Sequence, residues 1–441
     1  MRLLLILFFS FTVAQGQSLE VFLRALETHP GVQASAALIG AAQAQLDAVY
    51  TPVGFEMSGN YTRLNLDLPE PPPEQESPDI PENLVGLNLS ASFRPFVFGD
   101  LSDLAEQRRL ELYRAQLSYR ETLSNLQTQA LESLGSLRLA QTSVALAQEG
   151  VSLAETVLET TQTRLIRGAA SDADLRGAQQ RLREAQNNLL NAEANAEIVE
   201  QGLRNLVGDI ALPESVMPEL FAGTLKTSPP DVARAQLDLT LAKVGVTNAE
   251  RAFYPTAQAS YTWPLEDEKS ELSLSIESRT LQPRIGYSYA NPKQSTAGFS
   301  APEGVPSTAL KGSFTVGVSV NVSPENVGAL QAAQARVSAS EAGLKAAQDS
   351  ADLNRLSLDN AFENAVRDEA FAELSLRDAE RNLEDAETRV ELGLATDLDL
   401  LQATFALNQS KLNLLSAQQS LLQARLSYFR SYAVPPSEAL K

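Results

Sequence analysis

One eight-residue pattern occurs twice in the chain and constrains its fold more than any other feature. The copies begin at Gly168 and Gly393, and the glycine, the Ser or Thr, two Asp and the Leu recur at one offset, 393 − 168 = 225 residues. Glycine adopts the left-handed backbone that ends a helix, and [S/T]-x-x-D forms a capping box that begins the next helix. Each copy therefore predicts the tip of a helical hairpin, and the pair predicts an internal duplication.

Long helices are predicted on both sides of each tip. Residues 101–162 contain no proline and are rich in Ala, Leu, Gln and Glu, so a continuous helix there would be about 90 Å long. Apolar residues stand seven apart, with mostly small residues three positions later. Examples before and after the first tip are Leu123, Ala130, Leu137 and Val144, then Leu175, Leu182 and Leu189. This heptad spacing predicts antiparallel coiled-coil hairpins.

Four segments instead alternate apolar and polar residues with the period of a β-strand. They cover about 53–68, 84–98, 256–264 and 312–322. One apolar and one polar face indicate strands between lipid and a water-filled lumen, or alternatively a half-buried hairpin in a soluble sheet. Residues between 264 and 312 alternate as well, and three interpretations stay open: longer strands, a small hairpin outside the membrane, or a loop.

Charge and composition exclude some classes of function. The 35 Lys and Arg against 55 Asp and Glu give a net charge of −20, which argues against a nucleic-acid partner. The chain has no cysteine, so it has neither disulfides nor thiolate metal sites. Residues 1–16 read as a cleaved signal peptide. Beyond them no apolar run reaches the roughly 20 residues of a spanning helix, so only strands could cross a membrane.

The resulting domain prediction has two repeats. A first repeat at 17–207 contains a helix, two strands and a helical hairpin with its tip at 168–175. An irregular linker at 208–228 precedes a second repeat at 229–434, with its tip at 393–400, and 435–441 form a tail. Each repeat contributes two of the four strands, the second with extra residues between them.

Four strands cannot close a barrel, and an open sheet edge in lipid would leave backbone groups unpaired. A dimer would have eight strands, a number at which side chains nearly fill the interior, whereas a trimer would have twelve and room for a lumen. The sequence therefore predicts a homotrimer.

The duplicated layout and the motif R-x-x-x-G-x-x-[S/T]-D-x-D-L, present at Arg164–Leu175 and Arg389–Leu400, resemble the TolC-like outer-membrane efflux protein family. The resemblance implies an α+β fold, in which three copies build a twelve-stranded barrel in outer-membrane lipid and a periplasmic α-helical barrel. It implies a passive duct of an efflux or type I secretion system. Its expected partners are a periplasmic adaptor protein and an inner-membrane transporter, which open the duct at its periplasmic tip.

The candidate site residues lie at the two tips. Asp174 and Asp399 are expected mainly to cap helices. Under the resemblance they also belong to the periplasmic aperture, where Asp399 matches a pore-lining aspartate and Gln402 occupies the position of a second one. The turns would contact the adaptor through Gly168, Ala169, Ala170 and Ser171, and through Gly393, Leu394, Ala395 and Thr396.

Two other classes of function stay open beside the duct. A soluble periplasmic adaptor also uses long helical hairpins, although two hairpins and four alternating segments argue against it. A structural tether between outer membrane and cell wall is a weaker possibility. No catalytic motif, metal-ligand spacing or cofactor fingerprint occurs, so we expect no enzyme, metal or cofactor.

Overall fold

The computed structural model describes residues 19–63, 83–208, 210, 213, 228–265, 269–291, 312–392 and 394–438. Several predictions lie wholly or partly outside these residues: the signal peptide 1–16, the end of the first strand at 64–68, most of the linker 208–228, Gly393 and the last residues of the tail.

Seven helices and six strands are formed within the described residues. The helices are α1 (Leu19–Ala25), α2 (Pro30–Val49), α3 (Asp100–Ile166), α4 (Asp172–Val207), α5 (Pro230–Arg251), α6 (Pro324–Glu391) and α7 (Asp397–Ser431). The strands are β1 (Val53–Arg63), β2 (Asn83–Phe93), β3 (Thr256–Pro264), β4 (Ser270–Glu277), β5 (Arg284–Asn291) and β6 (Ser313–Ser319). No helix in the described part of the chain is both long and apolar enough to span a membrane.

The chain divides into two compact units. One unit comprises residues 1–37, 116–233 and 346–441, and contains α1, α4, α7 and the tip-side parts of α3 and α6. The other comprises 38–115 and 234–345, and contains the strands with most of α2, most of α5 and the remaining parts of α3 and α6. Each unit is described separately below.

The second unit contains one antiparallel sheet with the strand order β1-β2-β5-β4-β3-β6. All four predicted strands are present as β1, β2, β3 and β6. Of the extra residues of the second repeat, the described part forms a hairpin, β4–β5, within the same sheet. None of the three interpretations left open for these residues placed a hairpin between strands of the two repeats.

Two strand ends differ from the prediction for identifiable reasons. The strand β2 ends at Phe93, five residues before the predicted end at 98, because Pro95 has no N–H to continue a ladder. The strand β6 ends at Ser319, which pairs with Thr256, the first residue of β3. Residues 320–322 therefore have no opposite residue on β3, the neighbour of β6 in the sheet.

The two faces of the sheet differ in polarity across all six strands. The register places Met57, Leu89, Tyr287, Leu272 and Trp263 in one lateral row of the apolar face. Side chains of the opposite face are predominantly polar or small. They include Glu56, Ser58, Asn88, Ser90, Ser273, Ser275, Gln258, Ser260 and Thr315. Among the described residues much of the apolar face is open to solvent, since Phe55 is 84% and Phe314 69% exposed.

The first unit has its core where α1 meets α3, α4 and α7. Phe22, Leu131, Leu203 and Phe429 are fully or almost fully buried in this cluster. The side-chain amide of Gln127 is also buried in this unit. Its Nε2 donates to the carbonyl oxygen of Leu23 (3.0 Å), and its Oε1 accepts from the backbone N–H of Ser437 (3.0 Å). This side chain therefore joins both ends of the described chain to the middle of α3.

Polar contacts place α7 between α3 and α6 in the same unit. On the α3 side, Gln419 Nε2 donates to the backbone carbonyl of Glu132 (3.2 Å), and Arg430 donates to the Glu132 carboxylate (2.9 Å). On the α6 side, the Tyr428 hydroxyl donates to the Asp359 carboxylate. Burial and this carboxylate raise the pKa of Tyr428, so its hydroxyl stays protonated and acts as a donor.

Candidate functional site: the two helical tips

The first tip ends α3 with a Schellman motif. Gly168 has φ +73°, its N–H donates to the carbonyl of Leu165 (2.9 Å), and the N–H of Ala169 donates to that of Arg164 (2.8 Å). A left-handed backbone of this kind disfavours residues with a Cβ, which is why the pattern has glycine here. The chain then reverses within a few residues and begins α4.

The start of α4 is closed by the predicted capping box. The carboxylate of Asp174 accepts from the Ser171 N–H (2.8 Å) and hydroxyl (2.7 Å), while Ser171 Oγ accepts from the Asp174 N–H (3.2 Å). The backbone donor and then the hydroxyl of Ser171 lower the pKa of Asp174, because both stabilise the ionised form. The Asp174 carboxylate therefore caps the N-terminus of α4.

The second tip repeats this arrangement. The Leu394 N–H donates to the Arg389 carbonyl (2.8 Å), the counterpart of the bond from Ala169 to Arg164. Asp399 accepts from the Thr396 N–H and hydroxyl, both at 2.8 Å, and Thr396 Oγ1 accepts from the Asp399 N–H (3.3 Å). The donors on Thr396, again backbone first, lower the pKa of Asp399. The capping role predicted for both aspartates is thus present in the structure.

The tips differ in what they expose. Leu394 is 76% exposed, whereas the residue at the same place in the first tip is Ala169, also exposed. Ala170 and Ala395 are half-buried, and Ser171 and Thr396 are exposed. Exposed apolar side chains also lie next to the turns at Ile166 and Leu392. Both tips therefore present small apolar surfaces beside ionised carboxylates.

Gln402 lies away from the turn, on the wall of a groove between α3, α4 and α7. The groove has a volume of about 620 Å³ and is also lined by Gly150, Arg181, Glu184 and Phe405. The sequence interpretation missed Phe405 and the Arg181–Glu184 segment. The spacing of Gln402, Phe405 and Gln409 on one face of α7 was the available signal. Within the described residues, no group of three or more His, Asp or Glu is placed to hold a metal ion.

Comparisons with known proteins agree with this architecture. The family model described as "Outer membrane efflux protein" matches residues 22–209 and 223–427, one segment for each repeat. No curated protein matches the chain significantly in sequence.

Solved structures of three bacterial outer-membrane proteins share the fold. The outer membrane protein VceC of Vibrio cholerae is 18% identical with a TM-score of 0.64, over 95% of this chain and 96% of that one. The CmeC outer membrane channel of Campylobacter jejuni is 14% identical with a TM-score of 0.63, over 95% and 86%. The open state of the MtrE outer membrane channel of Neisseria gonorrhoeae is 17% identical with a TM-score of 0.57, over 96% and 90%.

These matches decide between the classes of function that the sequence left open. They support an efflux channel of the outer membrane with a large periplasmic part, and they give no support to a soluble adaptor. The family and these neighbours are channel proteins, not enzymes. The resemblance inferred from the two tips is confirmed, and the chain belongs to the outer membrane efflux protein family.

Proposed function

We propose that the protein is the passive outer-membrane duct of an efflux or type I secretion machine, and that it works as a homotrimer. The observation that carries this proposal is the sheet, which has one apolar face and in which β1 and β6 have no outer neighbour among the described residues. Backbone groups at such edges cannot stay unpaired in lipid, so copies of the chain must join edge to edge. The apolar face then meets lipid and the polar face lines a water-filled passage.

The directions of the edge strands favour such a ring. The strand β1 leaves α2 and β6 leads into α6, so the two strands run in opposite directions relative to the helices of the same unit. The β6 edge of one copy can therefore pair antiparallel with the β1 edge of the next. The duct needs no covalent chemistry of its own, and it depends on a transporter for energy and for the choice of cargo.

The tips would provide both partner contact and closure. Exposed Leu394 and the alanines of the turns offer small apolar surfaces that an adaptor helix could cover. Asp399 and Gln402 are proposed to line the aperture, and Asp174, at the matching position of the first tip, to stand beside the aperture without facing the passage. Because the donors on Thr396 keep Asp399 ionised, the aperture would carry one fixed negative charge per copy at this position.

The experiment has two parts. The full chain, purified in detergent, should have the mass of three copies and should conduct ions in a planar bilayer. A monomer without conductance would contradict the proposal.

The second part assigns the aperture through two matched variants. A trivalent cation added on the tip side should block conductance in the unaltered protein and in Asp174→Asn, and block less in Asp399→Asn. Both aspartates occupy the same capping geometry, so a helix-capping effect alone would change both variants equally. Equal behaviour would therefore refute the aperture role of Asp399.

A further inference from the structure

The hairpin β4–β5 is inserted between strands that come from the two repeats. In the sheet, β2 of the first repeat pairs with β5, and β3 of the second repeat pairs with β4. We infer that the trimeric barrel has eighteen strands, six from each copy, and a correspondingly wider lumen than the twelve-stranded barrel implied by four strands per copy. This inference rests on the proposed function, since it describes the barrel of that duct.

The polarity of the hairpin matches its neighbours. Leu272, Leu274, Ile285 and Tyr287 lie on the same face as the apolar residues of β2 and β3, in continuous lateral rows. Leu274 and Ile285 are each 42% exposed, so both side chains remain accessible on this face of the described sheet. A hairpin lying outside the membrane would have no need to continue the apolar face. Its pattern instead fits a place in the wall of the barrel.

The opposite face of the hairpin is polar, like that of its neighbours. Glu271, Ser273, Ser275 and Glu277 of β4 point to the side that holds Ser90 of β2. Ser288 and Arg284 of β5 lie on the same side. The hairpin thus adds two carboxylates and one guanidinium per copy to the face that would line the passage.

The hydrogen-bond ladders leave no room for the four-stranded alternative without rearrangement. Eight residue pairs join β2 to β5, from Val85↔Asn291 to Ser92↔Arg284, and seven join β3 to β4. Both edges through which β2 and β3 could pair with each other are therefore occupied. Direct pairing of β2 with β3 would require both ladders to break.

The base of the hairpin is also attached to the start of α3. The N–H of Phe93 donates to the carbonyl of Pro283 (2.9 Å), and Arg279 Nε lies 3.1 Å from the Asp100 carboxylate. Gly99 approaches the carbonyl oxygen of Arg279 so closely that a Cβ would lie 1.9 Å from it. These contacts hold the turn at 278–283 against the junction between β2 and α3, as a wall strand requires.

The change in strand number has a large effect on size. With strands about 4.8 Å apart and tilted by about 40°, twelve strands give a ring about 24 Å across between backbones, and eighteen give about 36 Å. The difference is about one and a half-fold in diameter. It is large enough to measure directly in images of the trimer in detergent or nanodiscs.

Cysteine pairs test the strand order independently, since the chain has no cysteine of its own. Asn88→Cys with Ser288→Cys joins β2 to β5, and Ser260→Cys with Ser275→Cys joins β3 to β4. Under oxidation in outer membranes, we expect both pairs to form disulfides. These side chains lie on the polar face, and each pair stands directly opposite in the ladder, within reach of a disulfide.

Two contrasting pairs link β2 to β3. Ser90→Cys, combined in turn with Ser260→Cys and Thr262→Cys, should stay reduced, because β2 and β3 are three strand spacings, about 14 Å, apart in the six-stranded sheet. A disulfide in either of these pairs, together with a ring of twelve strands, would overturn the inference and leave the proposed duct intact. Failure to find a trimer in the outer membrane would instead refute the proposed function and the inference with it.

Discussion

Replacing Gly99 by alanine should loosen the attachment of the β4–β5 turn to the start of α3. Gly99 has φ +60°, and an added Cβ would lie 1.9 Å from the carbonyl oxygen of Arg279. The neighbouring atom belongs to backbone, so it cannot avoid the methyl group by a side-chain rotation. The turn itself must move away.

The expected cost follows from the contacts that such a movement breaks. A left-handed alanine costs about 1–2 kcal/mol relative to glycine. Moving the turn also weakens the bond from the Asp100 N–H to the Arg279 carbonyl, worth about 1 kcal/mol, and the half-exposed ion pair between the same two residues, worth at most about 1 kcal/mol. We expect a local destabilisation of about 2–4 kcal/mol.

Hydrogen exchange measured by mass spectrometry reads this local opening without requiring global two-state unfolding. Amides in the turn and at the start of α3 should exchange about 30- to 700-fold faster in Gly99→Ala, because every 1.4 kcal/mol corresponds to a factor of ten. Amides at the tips should be unchanged.

Gly168→Ala is the matched control. Gly168 has a similar φ of +73°, but no atom lies within 4 Å of the position of a Cβ. This variant isolates the backbone strain, about 1–2 kcal/mol, which corresponds to about a 5- to 30-fold increase in exchange at the first tip. Equal effects of the two substitutions, each at its own site, would refute the close approach of Gly99 to Arg279.

Three further predictions concern the first unit, which contains the helical tips. Gln127→Leu should lower the free energy of unfolding by about 2–4 kcal/mol in denaturant titrations, because the buried Leu23 carbonyl and the part-buried Ser437 N–H lose their bonds to its amide. Gln141→Leu, on the exposed surface of the same helix, should have little effect. The caps formed by Asp174 and Asp399 should stabilise the helices fully above the ordinary carboxyl pKa of 3.8. This stabilisation should be lost as the pH falls through the lowered pKa of each carboxyl in the folded protein. Titration of the carboxyl groups followed by NMR checks this expectation, and loss of a cap near neutral pH would contradict it. Tyr428→Phe should destabilise the contact between α6 and α7 by about 1 kcal/mol, seen as faster exchange at the facing amides, and unchanged exchange would show that the hydroxyl contributes nothing.

The helical tips were predictable from the sequence because their structure is local. The left-handed turn at Gly168, the capping boxes of Ser171 and Thr396 and the direction of the helices are all determined within a few residues of the chain. The duplication then strengthened the prediction, since the same local signal occurred twice. The heptad spacing similarly gave the long helices, although not the partners of each helix.

The place of the β4–β5 hairpin was not predictable in the same way. Its alternation was visible, but strand order depends on pairing between residues almost 200 positions apart, such as Leu89 and Tyr287. Nothing local distinguishes a hairpin that joins the sheet from one that stands beside it. The groove around Gln402 and Phe405 was missed for the same reason, because three helices from both repeats contribute to it.

The antiparallel hairpin has a consequence for how proteins of this architecture can diverge. An insertion of two strands returns the chain to the side from which it departed, so β3 and β6 keep their orientation and their connections to α5 and α6 are undisturbed. A single added strand would reverse the direction of the strands that follow it. In the proposed duct, the diameter of the barrel can therefore change in steps of one hairpin per copy, without compensating changes in the helices.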